Sequence, residues 1–331
     1  MSRRLALSFL SLFILIDISN IAIAQTQHLT PQASKQLRHE IGAGQLDRAL
    51  TLMTQLVNAR TPYTTKASDD YIVDFALPII AVVKTHNPKT KWDYLGYGSV
   101  QTNPERSHVV LEWCKQLVRE YPQSPYSHLL LGSQYRSADV QDLGFTYEQK
   151  YNLAIGSFEE AIQQDPDLAE AYFYLANVYE TAAMIVNKPS YYDRAIEYFQ
   201  KAAERNSLNG RPFTETGMIQ RAQGAYDGAI DSFQKAIAVN PSDDYPYSEL
   251  AAIYLKVGNP DQAIKCALSA LKLHPTPGSN LYYTLGSAYE QQGEYTKAIA
   301  AYQKFLANRG TGPDTRPVRE KISMLQHKLQ Q

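Results

Sequence analysis

The chain has 331 residues, 44% of them hydrophobic, enough for one long helical array or two compact domains. Its 32 basic and 33 acidic residues nearly cancel, which excludes the one-signed charge bias of a nucleic-acid or anionic-membrane binder. Only two cysteines are present, Cys114 and Cys266, so a disulfide framework is excluded. They are expected as two buried thiols, with an intermolecular bridge as the alternative.

The N-terminus has the layout of a secretion signal. Arg3 and Arg4 give a positive start, Leu5 to Ile16 an apolar run broken only by Ser8 and Ser11, and Ala22-Ile23-Ala24 an A-x-A site before Gln25. Residues 1–24 are therefore expected to be a signal peptide cleaved after Ala24, on a chain exported to the periplasm or secreted. Residues 5–24 could also span a bilayer, but Asp17, Ser19 and Asn20 make an uncleaved anchor costly. A membrane is a partner only in that case. Cleavage removes Arg3, Arg4 and Asp17 and leaves 30 basic against 32 acidic residues, a net charge of −2.

Residues 25–122 read as an irregular N-terminal helical region. Gly44, Leu46, Ala49, Leu50, Met53 and Leu56 resemble the second half of the repeat unit found further along the chain, whereas the first half, around Leu37 and Ile41, lacks its pattern. Tyr71 to Lys84 is very apolar and His86 to Asn103 polar, with Trp92, Tyr94 and Tyr97. Gly96 and Gly98 form a lone G-x-G with no strand before it, a very weak nucleotide signal. Ser107 to Glu120 is a further helix, stopped by Pro122. The region holds either degenerate repeats or a separate cap.

From residue 123 to 310 three sets of positions recur. Gly132, Ala176, Gly217, Ala251 and Gly286 are small and fall in a first helix; Ala154, Ala195, Ala229, Ala263 and Ala298 fall in a second. Pro166, Ser207, Pro241 and Pro275 close the unit. Small residues let paired helices approach, aromatic residues fill the gaps, and spacings of three and four keep both on one face. The clearest copy runs Tyr282, Leu285-Gly286, Tyr289, Gly293, Ala298, Tyr302, and the copy before it Tyr247, Leu250-Ala251, Tyr254, Gly258, Ala263, Ala270, Pro275.

These residues resemble the tetratricopeptide repeat. The resemblance implies an all-α, right-handed superhelical solenoid of antiparallel helix pairs, with five repeats over 123–310 and a capping helix over 311–331. No single pair buries its apolar face alone, so stacking supplies the core. Gln220 and Thr216 depart from the pattern in the third copy, which is expected to be the most weakly packed. His128, at an aromatic position of the first copy, is expected in the core.

Spacing separates two copies from the rest. Within a unit the interval from the small position to the alanine is 12 residues in the last three copies, but 22 from Gly132 to Ala154 and 19 from Ala176 to Ala195. The extra residues fall in the turns Ser137 to Gln149 and Thr181 to Tyr192. These are either lengthened helices or a docking ridge. After Gly310, Val318, Ile322, Leu325 and Leu329 share one face of a last helix, the expected cap with a polar outer side.

The family lines a groove with its first helices. Carried over copy by copy, the groove-facing positions are Tyr126, Leu129, Ser133 and Arg136; then Glu170, Phe173, Asn177 and Glu180; then Arg211, Thr214, Met218 and Arg221. The fourth copy gives Tyr245, Ser248 and Lys256, and the fifth Asn280, Tyr283, Ser287 and Glu290. Such a set suits an extended peptide or helix: amides meet its backbone, aromatics its apolar side chains, arginines its acids. A carboxylate clamp needs lysine and asparagine on one helix; Asn177 is present, but Phe173 stands in the lysine position.

Chemistry is not signalled. H-E-x-x-H, C-x-x-C, P-loop and G-x-S-x-G patterns are missing, and seven histidines lie without metal-ligand spacing. Asp243-Asp244 and Glu159-Glu160 fit helix starts and solvated faces. The expectation is a non-enzymatic scaffold or assembly factor of the cell envelope, without cofactor, metal, nucleic acid or small-molecule substrate. The alternative is a regulatory or substrate-recruiting subunit of an envelope enzyme or secretion complex.

Overall fold

A computed structural model describes residues 31–58, 104–275, 280–307 and 315–331. The expected signal peptide, the apolar stretch 71–84 and the polar stretch 86–103 lie outside the described residues. Among the described residues all regular structure is helical. In chain order the helices are α1 (Pro31–Gly42), α2 (Leu46–Asn58), α3 (Pro104–Glu120), α4 (Pro125–Ser137), α5 (Val140–Leu143), α6 (Tyr147–Gln164), α7 (Ala169–Ile185) and α8 (Ser190–Arg205). There follow α9 (Arg211–Ala222), α10 (Tyr226–Val239), α11 (Asp244–Lys256), α12 (Pro260–Leu273), α13 (Asn280–Gln291), α14 (Tyr295–Leu306) and α15 (Arg316–Lys328). The chain divides into two compact units, 1–178 and 179–331, and α7 crosses the division.

In the first unit α1 packs on α2, α3 and α4, α3 packs on α4 and α5, and α4 packs on α6. Leu37, Ile41, Ala49, Met53, Leu111, Leu117 and Leu129 are buried, each large side chain contributing about 1.5–3 kcal/mol. Polar bonds fasten α1 to α3. Arg38 Nε donates to Glu120 Oε2 at 3.0 Å, and Trp113 Nε1 donates to Ser34 Oγ at 3.1 Å. His128 is a core residue. Its Nε2 lies 2.8 Å from the Pro122 carbonyl, which can only accept, so Nε2 carries the proton.

In the second unit each helix packs on the next, from α8 to α15, and first helices also touch, α11 on α13. Such nearest-neighbour stacking is what a helical repeat produces. The shared core includes Phe233 of α10, Leu250, Ala251 and Ile253 of α11, Cys266 and Ala267 of α12, Leu285 of α13 and Ala301 of α14. Cys114 and Cys266 are both free and buried, and burial pushes both thiols up from their ordinary range.

The recurring small residues sit under aromatic rings. A Cβ on Gly132 would stand 2.9 Å from the Phe158 ring, and one on Gly217 2.9 Å from Phe233. Both rings belong to the second helix of the same pair. The departures in the third copy are answered by hydrogen bonds: Ser232 Oγ donates to Gln220 Oε1 at 2.7 Å, and Thr216 Oγ1 to the Pro212 carbonyl at 2.9 Å.

The turns inside the pairs share one closure. Gly258 has φ 77°, and Asn259 N–H returns to the Tyr254 carbonyl at 2.8 Å. Gly224 and Gly293 repeat this, with Ala225 bonded back to Gln220 and Glu294 to Tyr289. Only a left-handed residue lets the chain reverse so tightly while satisfying the helix-end carbonyls, hence glycine. The long turns solve the problem differently. The first inserts α5, which ends at left-handed Gly144. The second extends α7 to Ile185 and places Asn187 at φ 51°.

The last helix, α15, buries Val318 and Leu325 beside Tyr302 and Phe305, with Ile322 partly buried. Leu329, expected on the same face, is 52% exposed, because it lies one residue beyond the end of α15.

Candidate functional site

The groove positions fall into two groups, one in each unit. In the first unit Leu129 and Phe173 are buried, at 0% and 3% exposure, and so belong to the packing and not to a display surface. Ser133 and Glu170 are buried as well. The Phe173 ring sits edge-on to Tyr174 at 5.8 Å. Asn177 Nδ2 donates to the Phe173 carbonyl one turn back, at 2.8 Å. Tyr126 is half-buried, and burial first, then Asp165 and Glu170, raise its phenol above the ordinary range. The Arg136 guanidinium lies over the Tyr174 ring at 5.6 Å.

In the second unit four expected residues converge: Arg211, Met218 and Arg221 on α9 and Tyr245 on α11. The first-turn placement of Tyr245 follows from its helix start, since Asp243 Oδ1 accepts from Tyr245 N–H at 3.1 Å. The residue is 40% exposed, and its hydroxyl donates to Met218 Sδ at 3.5 Å. Thr214, expected alongside, is buried.

Two residues missing from the expected set decide the electrostatics. Arg211 Nε donates to Glu215 Oε1 at 3.0 Å, and Arg221 Nε pairs with Glu249 Oε2 at 2.9 Å. The carboxylates are the more buried members, at 15% and 16% exposure. The arginines are therefore not waiting for a partner's acids. Burial, then the Glu249 charge, raise the Tyr245 phenol, so it stays a neutral donor. The Arg211–Glu215 pair was legible as an i, i+4 spacing. The Arg221–Glu249 pair joins two helices and has no local signal.

Glu180 lies in the C-terminal half of α7. Burial first, then the neighbouring Glu215 carboxylate, push its carboxyl up to about 8, with Arg211 opposing.

The remaining expected residues lie elsewhere. Lys256 sits with its Nζ 5.0 Å from the Tyr226 ring of α10, and is not part of the Met218–Tyr245 cluster. Tyr283 packs beside Tyr302 and Phe305, with ring centres 5.6 and 5.5 Å apart. Ser287 is taken by the Tyr302 hydroxyl of α14 at 3.0 Å, and Glu290 by that hydroxyl and by the C-terminal cap. The Tyr302 hydroxyl donates to Glu290 Oε2 at 2.7 Å, and Lys321 Nζ of α15 donates to the same oxygen at 2.9 Å.

The acid pairs have structural roles. Asp243 caps α11, and Glu159 and Glu160 are exposed on α6. Among the described residues, no group of three His, Cys, Asp or Glu side chains is arranged to hold a metal ion. Among the same residues, no helix is long and apolar enough to cross a membrane.

Family models for the tetratricopeptide repeat match residues 248–313, 145–181 and 217–258. No curated protein matches the chain. Among solved structures, the chain is similar to the MamA protein, with 22% identity over 56% of this chain and 92% of that one, at a TM-score of 0.46. It is also similar to YrrB, a repeat protein of the same type described as having an unusual peptide-binding site, with 18% identity over 66% and 99% at 0.48. A third is pilF of Pseudomonas aeruginosa, with 20% identity over 62% and 90% at 0.43. With the helix pairs, the glycine-under-ring contacts and the matched models together, the chain carries tetratricopeptide repeats over residues 145–181 and 217–313 in an all-α helical fold, a type of repeat that in general serves protein–protein binding.

Proposed function

We propose that the chain is an exported scaffold or assembly factor of the cell envelope. It binds a peptide or helix of a partner protein across the first helices α9 and α11. The observation that carries this reading is Tyr245, an exposed aromatic ring held by Met218 between two arginine–glutamate pairs. Aromatic side chains fixed by packing lose little freedom on binding, and a charged rim excludes wrong partners. The N-terminal charge and apolar pattern supports export.

The test is photo-cross-linking in the native envelope. A photoreactive phenylalanine analogue at position 245 is expected to capture a discrete protein partner, and the same analogue at Leu268, exposed on α12, is not. Equal capture at both positions would remove the assignment of the face. Sequencing of the purified native protein from Gln25 is the expected result for export, and an intact Met1 is the opposing one.

A further inference from the structure

Tyr245, Ser248 and Ala252 follow one another on α11 at spacings of three and four, which keeps them on one face. Tyr245 and Ala252 are exposed, and Ser248 is half-buried. α9 meets this face through Met218, which takes the Tyr245 hydroxyl, and through Arg221, which pairs with Glu249. The polar groups here are spent within the protein. Arg211 Nε is held by Glu215 and Arg221 Nε by Glu249, and the Ser248 hydroxyl donates to the Asp244 carbonyl at 3.0 Å. Two guanidiniums against two carboxylates leave these pairs neutral. α11 has neither asparagine nor glutamine, and the glutamine of α9, Gln220, accepts from Ser232 of α10.

We infer that the occupant of this face is an amphipathic helix of the partner, which lays an uncharged apolar stripe over Met218, Tyr245 and Ala252. This rests on the face being a site for a partner segment, and it chooses a helix over an extended peptide. An extended segment brings an N–H and a C=O with every residue, and those it buries need partners. The face offers them no side-chain amide, and its carboxylates are already held by arginines. A helix satisfies its own backbone, so it asks only apolar contact of the surface. Ser248 and Ala252 are small, so a large apolar side chain of the partner approaches α11 closely there, beside the Tyr245 ring. The neutral pairs exert no long-range pull on a charged partner. Affinity therefore comes from apolar burial and depends little on salt.

The experiment selects two display libraries on the full chain, both of peptides about 18 residues long, roughly five helical turns. One fixes Glu and Lys on the outer side of a helical frame and varies the positions i, i+3, i+4 and i+7. The other carries regularly spaced prolines, so that no helix forms. Affinities of enriched peptides are then measured by fluorescence anisotropy. The helical library is expected to yield the binders, with Leu, Met or Phe on the varied face. A single proline at the centre of such a peptide should weaken binding about tenfold. Raising salt from about 50 mM to about 500 mM should change affinity less than about threefold. Tyr245→Ala and Ala252→Arg should each weaken binding about tenfold. The proline and salt measurements need no protein variant, so they hold even if a variant misfolds. Proline-library binders that lose affinity with Tyr245→Ala, or helical binders that lose about tenfold with salt, overturn the inference and leave the site standing. If nothing enriched from either library responds to Tyr245→Ala, the reading of the face itself fails, and the helix with it.

Discussion

Gly286 lies so close beneath Tyr302 that a Cβ on it would stand 2.6 Å from Cδ1 of the ring. The ring has little room to retreat. It is fully buried, and its hydroxyl is hydrogen-bonded to Ser287 at 3.0 Å and Glu290 at 2.7 Å. Gly286→Leu, and to a lesser degree Gly286→Ala, should therefore cost about 1–3 kcal/mol through overpacking. Gly156, on α6, is the counter-case: a methyl group there would meet nothing within 4 Å, and helical backbone flanks it on both sides. Gly156→Ala should stabilise by about 0.5–1 kcal/mol. Urea midpoints of the variants decide between them; equal shifts would count against the repeat register.

The C-terminal cap is fastened by an acid-sensitive bond. Burial works against ionisation of Glu290, but hydrogen bonds from Lys321 and Tyr302 outweigh it and hold the carboxyl below its ordinary range. A carboxylate depressed in the folded state contributes stability above its unfolded value of about 4.3, and that contribution is lost as pH falls through the folded value. Acidification below about 4 should thus loosen α15 from the α13–α14 pair, seen as faster amide exchange in residues 316–328. In Glu290→Gln that pH step should disappear, and exchange in α15 should already be raised at neutral pH.

Phe173 and Tyr245 were both expected on the binding surface, and the structure gives them opposite behaviour. Phe173 is buried, so Phe173→Ala should lower stability by about 3–5 kcal/mol, read from thermal or urea unfolding. Tyr245 is exposed on one face, so Tyr245→Ala should leave unfolding within about 1 kcal/mol while abolishing partner capture. A Phe173→Ala variant of unchanged stability would return that residue to the surface.

Much of the fold was legible without coordinates. Gly132, Gly217 and Gly286 recur where a helix must admit an aromatic ring, and Gly258 and Gly293 where the chain must turn left-handed. Those requirements are local: they follow from backbone sterics and from the 3.6-residue period of the helix to which each residue belongs. His128 and Asp243 were read correctly for the same reason, one as a core residue and one as a helix start.

Side-chain partnership follows instead from how separate helices meet. Periodicity places Arg221 on a face of α9, but its Glu249 partner lies on α11, and the register between those helices is set by how their side chains interlock. The burial of Leu129 and Phe173, and the use of Glu290 by Lys321, depend likewise on what a neighbouring helix presents. The repeat, its turns and its paired helices are dictated by the residues alone, because each is encoded within about one unit of chain. The chemistry of the candidate surface, with Arg221 paired to Glu249 and Tyr245 set on Met218, emerged only when separate helices were brought together, because such pairing depends on distance in space and not on spacing along the chain.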